Sequence, residues 1–414
     1  MKILFFGYSY TQMSTSQRLH SALQEQKHKT FLLAWHSILK HVIIYKPPFF
    51  YKFIISKLKT YFFKLFIWRS YPNRNSNLPW TFNIFASNPI KKKMADQMDI
   101  IHLDWIANGA INLKALKKIG KPVVWTLHDV WPITGGCHCN LACDKWLTGC
   151  GACPQLGSHD EDDISAYFWK LKKKTFGSVP DLSIITPSKW LGNMAKKSQF
   201  FNNRKVYVIP NCIDTNLFKP MSKAYSRDAL NIPVESKVIL FGAVNSVNTW
   251  YKGFDLLIEA LNHLKNEIGM SFHLVIFGAS ASDIDKINLP FPSTCLGTLR
   301  DEITLSVAYN CADVFVGPSR QDNFPNTFLE ANACGVPCVG FSVGGIPEIV
   351  DHQKNGYIAK PFDIKDLANG ITWVVEDTER YKSLSQYARE KAIKNYSMDI
   401  IAQKHIDLYK QLLS

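Results

Sequence analysis

Two acidic residues in the second half of the chain are candidates for binding the hydroxyl groups of a ligand. Asp322 lies in a polar loop that follows a short apolar run, and Glu330 comes eight positions later in a helix-forming stretch. A loop carboxylate can accept hydrogen bonds from sugar hydroxyls. Glu330, one to two turns into the helix, has the reach for ribose hydroxyls.

The backbone between these two carboxylates predicts a site for a diphosphate. A strand is expected to end at Val316, and a helix to begin near Asn326 and to end at Gly335. The open N–H groups and the dipole at a helix start attract anions. The candidate residues of this stretch for binding the diphosphate are therefore Asn323, Phe324, Pro325, Asn326 and Thr327.

A cysteine-rich stretch in the first half of the chain has the spacing of a metal site. Five cysteines and one histidine lie between Cys137 and Cys153, and the last two cysteines form a C-x-x-C. In a reduced compartment this pattern is typical of zinc ligands. One interpretation is a structural zinc bound by Cys137, Cys143, Cys150 and Cys153, and the alternative is a set of free thiols.

Short β-branched runs alternate with helix-length amphipathic segments along the whole chain, which predicts an α/β fold with doubly wound parallel sheets. Strands are expected at residues 2–6, 30–33, 100–103, 123–127, 183–186, 206–209, 238–242, 274–277, 294–296, 314–316 and 337–341. Helices are expected at residues 253–266, 326–333, 364–375 and 379–394.

The length of 414 residues predicts two domains. Proline and asparagine punctuate residues 209–220, which we interpret as a hinge. Residues 1–215 would form the first domain, residues 216–395 the second, and residues 396–414 a helix that could cross back to the first domain. Sites at the carboxyl ends of both sheets would then face one cleft.

The charge of the chain is concentrated in one segment. Residues 26–95 carry thirteen lysines and arginines and no acidic residue, against a net charge of +14 for the chain. Ten aromatic residues lie between Tyr45 and Trp68 in the same segment. Interleaved basic and aromatic side chains favour an anionic membrane surface. Packing on the domain itself and nucleic-acid binding are the alternatives. Frequent lysines exclude a spanning helix there, and no segment predicts a signal peptide, so we expect a cytoplasmic location.

Residues 318–337 resemble the donor-binding stretch of the retaining family-4 glycosyltransferases of the GT-B fold, in which two acidic residues are separated by seven others. Asp322 and Glu330 have this spacing, with aspartate where the family usually has glutamate. The hinge and the motif Gly344-Gly345-Ile346-Pro347-Glu348 are also similar. The resemblance implies that Lys252 contacts the donor diphosphate. The arginine that usually accompanies it is missing after Gly242, and Arg320 is a candidate replacement.

The resemblance also implies that residues 1–215 form the acceptor-binding domain and residues 216–395 the donor-binding domain, and it implies the mechanism. His128 resembles the histidine that lines the acceptor side in this family, and Asp129 is its neighbour. The departing phosphate would take the acceptor proton on the same face of the sugar, without a metal. Gly7 would allow close approach to the backbone after the first strand. Trp-Pro-x-Thr-Gly-Gly-Cys with the cysteines resembles a subgroup of bacterial surface-polysaccharide transferases, of the O-antigen, capsule and colanic-acid-like kinds.

The sequence therefore predicts a retaining, metal-independent glycosyltransferase. It would move a sugar from a nucleotide-diphosphate sugar to a lipid-linked oligosaccharide in lipopolysaccharide or similar polysaccharide biosynthesis. It would lie peripherally on the inner face of the membrane and bind no nucleic acid. The alternatives are a soluble epimerase or phosphorylase of the same fold and a zinc-containing nucleic-acid binder.

Overall fold

The structure is a computed structural model that describes residues 1–10, 15–37, 43–44, 58, 61–63, 65–81, 88–243, 247–267 and 271–414. The described residues form two compact units. The first contains Met1–Ile209 together with Ala402–Ser414, and the second contains Pro210–Ile401.

The first unit is built on a parallel sheet of seven described strands in the order β3-β2-β1-β4-β5-β6-β7. β1 lies between β2 and β4, so the strand order reverses there, as in doubly wound sheets. The strands are β1 (Lys2–Tyr10), β2 (Lys29–Ser37), β3 (Ile43–Ile44), β4 (Ile100–Leu103), β5 (Val123–Thr126), β6 (Leu182–Thr186) and β7 (Val206–Val208).

Helices connect these strands and cover the sheet. The α-helices of this part of the chain span Thr15–Glu25, Lys92–Ala95, Ile164–Gly177 and Lys189–Lys197, and residues 65–70 are also helical. Short 3-10 helices span Leu113–Lys118, Trp131–Ile133, Lys145–Leu147 and Pro154–Leu156. β4, β5 and β6 are buried along their whole length, which is expected for parallel strands covered on both faces.

The second unit repeats the scheme with six described strands in the order β10-β9-β8-β11-β12-β13. The reversal lies between β8 and β11. The strands are β8 (Lys237–Gly242), β9 (Phe272–Phe277), β10 (Ser293–Cys295), β11 (Val314–Gly317), β12 (Cys338–Phe341) and β13 (Gly356–Ala359). The helices are Lys223–Ala229, Phe254–Glu267, Ala281–Ile284, Glu302–Asn310, Asn326–Ala333, Ile346–Ile349, Ile364–Val375 and Thr378–Tyr396, with a 3-10 turn at Trp250–Lys252.

The last helix, Met398–Leu413, begins in the second unit and packs for most of its length in the first. Tyr409 on this helix is hydrogen bonded through its hydroxyl to Nδ1 of His102 on β4, at 2.5 Å. Nε2 of His102 contacts the hydroxyl of Thr126 at 2.7 Å. Burial lowers the pKa of His102 to about 3, so this link between helix and sheet is uncharged.

The two sheets confirm the predicted α/β fold class. β1 is longer than expected and continues through Gly7 to Tyr10, because β2 pairs with it beyond the predicted end. Gly7 therefore lies within a strand rather than in the loop predicted there. β3 and β13 were not predicted. No helix among the described residues has the length and apolar character needed to cross a membrane.

Candidate active site

The loop after β11 carries Asp322, and this loop folds against the turn that carries Lys252. The Lys252 ammonium lies 2.6 Å from the Asp322 carboxylate, and both side chains remain partly exposed. The 3-10 turn Trp250–Lys252 ends at Gly253, whose φ is 74°. A Cβ on Gly253 would lie 2.0 Å from the carbonyl oxygen of Pro318, so glycine is required where the turn touches the loop. The fold thus brings together the Lys252 and Asp322 side chains, which lie seventy positions apart in the sequence.

Gly344 and Gly345, which follow β12, also contact the backbone of Asp322. The Gly345 N–H donates to the Asp322 carbonyl at 3.0 Å. Gly344 has a φ of 58°, and a Cβ there would lie 1.8 Å from the same carbonyl oxygen. The close approach of the two backbones leaves no room for a side chain at residue 344, which explains the glycine there.

Arg320 lies in the same loop, but its guanidinium is already paired with a carboxylate. Its guanidinium makes two hydrogen bonds to the carboxylate of Asp255, at 2.8 and 2.6 Å, and lies 4.1 Å above the Trp250 ring. Burial opposes the charge on Asp255, but Arg320 outweighs it and lowers the pKa of this carboxyl. Arg320 thus fixes the Trp250–Lys252 turn onto the donor loop, which makes it a positioning residue.

The helix Asn326–Ala333 begins directly after this loop, and its N-cap, Pro325, makes no side-chain cap hydrogen bond. Asn326 and Thr327 in its first turn are partly exposed, whereas Asn323 and Phe324 are buried. Asn211 donates to the carbonyl of Phe324 at 3.2 Å and to the side-chain oxygen of Asn326 at 3.0 Å. The start of this helix is therefore held in place, with the dipole direction that favours an anion.

Glu330 lies deeper in the second unit than the other predicted donor residues. Its side chain is only 4% exposed and accepts a hydrogen bond of 2.8 Å from the hydroxyl of Tyr309. Burial, followed by the nearby Glu330 charge, raises the pKa of Tyr309 well above its usual value. Tyr309 therefore stays a hydrogen-bond donor and fixes the position of the carboxylate.

In the first unit His128 follows β5 and is paired with a residue that the sequence did not single out. Nε2 of His128 lies 3.4 Å from the carboxylate of Asp104, which directly follows the neighbouring strand β4. Burial disfavours the charged Asp104, yet the hydrogen bond from His128 and the charges nearby keep its pKa lowered. The signal in the sequence was an acidic residue at the carboxyl end of an adjacent parallel strand.

Asp129 is hydrogen bonded to residues of its own loop and to Trp105, which lies just after β4. Its carboxylate contacts Nδ1 of His138 at 2.7 Å, the Trp105 indole N–H at 3.1 Å and the Trp131 backbone N–H at 2.8 Å. Burial opposes ionisation here too, but His138 and these donors lower the pKa of Asp129. The structure thus ties Asp129 to the cysteine-rich stretch, and only His128 of the predicted pair lies beside Asp104.

The predicted zinc ligands belong to a compact loop without disulfides. All ten cysteines are free, and Cys137, Cys143, Cys150 and Cys153 line one cavity. Among the described residues, no three His, Cys, Asp or Glu side chains converge closely enough to hold an ion.

Two family models match the chain, one in each half. The Glycosyltransferase Family 4 model matches residues 18–217, and the model of Glycosyl transferases group 1 matches residues 222–391. Both halves of the chain are therefore similar to glycosyltransferases. The second match contains Lys252, Asp322 and Glu330, and the first contains His128 and all four candidate zinc ligands.

Curated relatives carry several different activities. An uncharacterized glycosyltransferase of Methanocaldococcus jannaschii is 28% identical over 80% of both chains. A D-inositol 3-phosphate glycosyltransferase of Xylanimonas cellulosilytica is 30% identical over 50% of this chain and 51% of its own. The N,N'-diacetylbacillosaminyl-diphospho-undecaprenol alpha-1,3-N-acetylgalactosaminyltransferase of Campylobacter jejuni is 29% identical over 44% and 47%. The last two are matched over only about half of their length.

Solved glycosyltransferases share the fold. Anabaena HepE in complex with UDP-glucose aligns with a TM-score of 0.64 and 17% identity, over 99% of this chain and 100% of that one. This likeness shows that the chain has the GT-B fold that the sequence predicted.

Proposed function

We propose that this glycosyltransferase moves a sugar from a nucleotide-diphosphate sugar to a lipid-linked oligosaccharide, with retention of configuration, in the synthesis of a bacterial surface polysaccharide. The observation that supports it most is the pairing of Lys252 with Asp322 beside the start of the helix Asn326–Ala333. A cation next to a helix start would attract a diphosphate, and the carboxylate would accept hydrogen bonds from sugar hydroxyls.

In this proposal the second unit does the chemistry on the donor. Lys252 and the N–H groups of Asn326 and Thr327 neutralise the charge that develops on the departing diphosphate. They supply the stabilisation that a bound cation provides in other transferases, so the reaction would need no metal. Asp322 would orient the sugar and Glu330 the ribose hydroxyls.

The acceptor proton would pass to the departing phosphate oxygen on the same face of the sugar. The bond between the anomeric carbon and that oxygen breaks, and the acceptor oxygen forms the new bond on the face that the leaving group occupied. His128 would orient the acceptor hydroxyl, and Asp104 would hold the imidazole in place. The epimerase or phosphorylase alternative and the nucleic-acid alternative are not favoured by the family matches.

Donor binding can be measured before the acceptor is known. We expect one nucleoside diphosphate of a panel to raise the melting temperature of the full chain, since a ligand that binds only the folded state stabilises it. Lys252→Ala should reduce this shift. A panel in which no nucleotide or nucleotide sugar changes the melting temperature or is hydrolysed would contradict the donor assignment.

The lipid-linked acceptor is supported by exposed aromatic side chains in the basic segment. Phe62 is 64% exposed and Phe66 61%, and Tyr61 and Trp68 are also exposed on the helical residues around them. Phe63 instead packs against the buried Ile67 and Phe168. The aromatic residues from Tyr45 to Phe53 lie outside the described residues. The exposed rings fit a membrane interface, while the alternative of packing on the domain accounts for Phe63.

We expect the full chain to float with anionic vesicles at low salt. Each basic residue near such a surface contributes about 1 kcal/mol, screened over about 8 Å at physiological salt. Added salt should weaken binding, and the exposed rings should leave a salt-resistant part. Combined Phe62→Ser, Phe66→Ser and Trp68→Ser replacements should remove that part and slow transfer to a lipid-linked acceptor, but not to a short soluble analogue.

Tyr225→Ser with Ile303→Ser is the matched control, because these side chains are equally exposed but lie in the second unit. The control should float as the parent does. A parent chain that ignores anionic vesicles at low salt would contradict the membrane proposal and favour packing of the aromatic residues on their own domain.

A further inference from the structure

We propose that Asn211 is a positioning residue for the donor diphosphate, because it holds the side-chain oxygen of Asn326 and so keeps the start of the donor helix open to the phosphates. Like the proposed function on which it rests, this role concerns the donor site of the second unit. Asn211 is 8% exposed. Its amide nitrogen donates to the carbonyl of Phe324 at 3.2 Å and to the side-chain oxygen of Asn326 at 3.0 Å. One NH2 group thus binds both neighbours of Pro325, the residue that precedes the helix Asn326–Ala333.

The start of this helix lacks a side-chain cap. The first N–H groups of a helix find no acceptor within the helix itself, and the N-cap residue usually supplies a side-chain oxygen for one of them. Pro325 has no such oxygen and makes no side-chain cap hydrogen bond. A bound anion can then serve as the acceptor.

Asn326 carries an oxygen that could compete with that anion. Asparagine side chains readily form hydrogen bonds with backbone N–H groups close to them in the chain, and Asn326 is the first residue of the helix. If its oxygen turned onto these N–H groups, it would cap the helix and compete with the diphosphate. The hydrogen bond from Asn211 holds this oxygen instead. Asn211 therefore leaves the helix start to the phosphates.

The segment that carries Asn211 is itself fixed in the second unit. Cys212 and Ile213 are fully buried, and the Ile213 N–H donates to the carbonyl of Tyr396 at 2.8 Å. The Tyr396 ring packs edge-on against the Phe324 ring, with 5.7 Å between the ring centroids. The same tyrosine therefore holds the segment of Asn211 and one of the two residues to which Asn211 donates.

The opposite end of the helix is held by an arginine and provides a comparison. Arg389 donates to the carbonyl of Ala333, the last helical residue, at 2.7 Å, and to the carbonyls of Phe218 and Thr215 at 2.7 and 2.8 Å. The helix has eight residues and is about 12 Å long, so these bonds lie far from the N–H groups that would meet a phosphate. Arg389 stabilises the same helix without acting on its anion-binding end.

The contribution of the diphosphate to binding tests the role of Asn211. Calorimetric titration of the full chain with UDP and with uridine, or with the pair whose base the nucleotide panel selects, gives the ratio of the two dissociation constants. We expect Asn211→Ala to lower the preference for the diphosphate by about tenfold and to leave the nucleoside affinity unchanged, because the nucleoside carries no phosphate. A residue with a merely structural role would weaken both ligands alike.

Three further variants sharpen the test. Asn211→Asp keeps the size of the side chain but replaces the donor with a charged acceptor, so it should lower the preference further, and it decides the test if Asn211→Ala does not fold. Arg389→Ala is the matched control and should lower the melting temperature but keep the preference. Asn326→Ala removes the competing oxygen, so Asn211→Ala should cost less in that background than in the parent.

The contradicting results are distinguishable. A parent chain that binds no nucleoside diphosphate would overturn the donor site and the role of Asn211 together. A parent chain that prefers the diphosphate, with the same preference in folded Asn211→Ala or Asn211→Asp, would overturn the role of Asn211 alone. An equal loss in Arg389→Ala would also overturn it, because the preference would then report only the stability of the helix. An equal cost of Asn211→Ala with and without Asn326→Ala would overturn the part assigned to the Asn326 oxygen.

Discussion

Replacing Lys252 with alanine is expected to lower kcat/KM for transfer by about tenfold or more, while the protein stays folded. The ammonium contacts Asp322 at 2.6 Å in a partly exposed site, where a charge-assisted hydrogen bond contributes about 1.5–3 kcal/mol. The variant would lose the diphosphate contact in the transition state and leave Asp322 without this cation. Initial rates with the natural donor, together with melting curves, would measure both effects.

The matched control is Lys265→Ala, an exposed lysine on the helix that follows the Lys252 turn. It should leave both rate and melting temperature unchanged. Lys252→Arg should recover part of the rate, because it keeps the charge but changes the geometry of the contact. Near-normal turnover in Lys252→Ala would rule out the diphosphate role.

Replacing Glu330 with alanine is also expected to lower the rate by about tenfold or more. The loss of hydroxyl contacts should appear as weaker binding of the nucleotide alone, since the ribose belongs to that part of the donor. Tyr309→Phe should have a smaller effect in the same direction, because it removes only the 2.8 Å hydrogen bond that positions the carboxylate. Calorimetric titration with the nucleotide would measure how much Glu330→Ala and Tyr309→Phe each weaken nucleotide binding.

Because Glu330 is buried, replacing it can also lower the stability of the protein. A second variant separates that effect from a loss of nucleotide binding. Glu330→Gln keeps the volume and removes the charge, so a folded variant with weak nucleotide binding supports a binding role. Glu379→Ala, an exposed glutamate of the second unit, is the control and should behave as the parent. Unchanged nucleotide affinity in both Glu330 variants would contradict the assignment.

Elements with local start and stop signals were predicted well from the sequence. The helix Asn326–Ala333 was predicted with its observed bounds, because a proline precedes it and Gly335 follows it. Ile364–Val375 was also predicted in full, and the side chain of Asp363 caps it as its type suggests. β13 was missed, because Gly356–Ala359 is short and follows a turn without a periodic pattern.

The sequence predicted the candidate site only where the residues of the site are close together in the chain. The Asp322 loop and the helix start are contiguous in sequence, so their spacing could be interpreted directly. Arg320 pairs with Asp255, which lies sixty-five positions away in the sequence. From the sequence alone, Arg320 was instead a candidate phosphate ligand. The Asp104–His128 contact likewise depends on two adjacent strands, and no local pattern specifies it.

The anomeric configuration of the product tests the central claim most directly. The full chain would be incubated with the donor selected by the nucleotide panel and with a lipid-linked oligosaccharide, and the product examined by NMR at the new linkage. We predict transfer with the configuration of the donor preserved, and loss of this product in Lys252→Ala. A product of inverted configuration, or no transfer from any nucleotide sugar to any lipid-linked or soluble acceptor, would contradict the account.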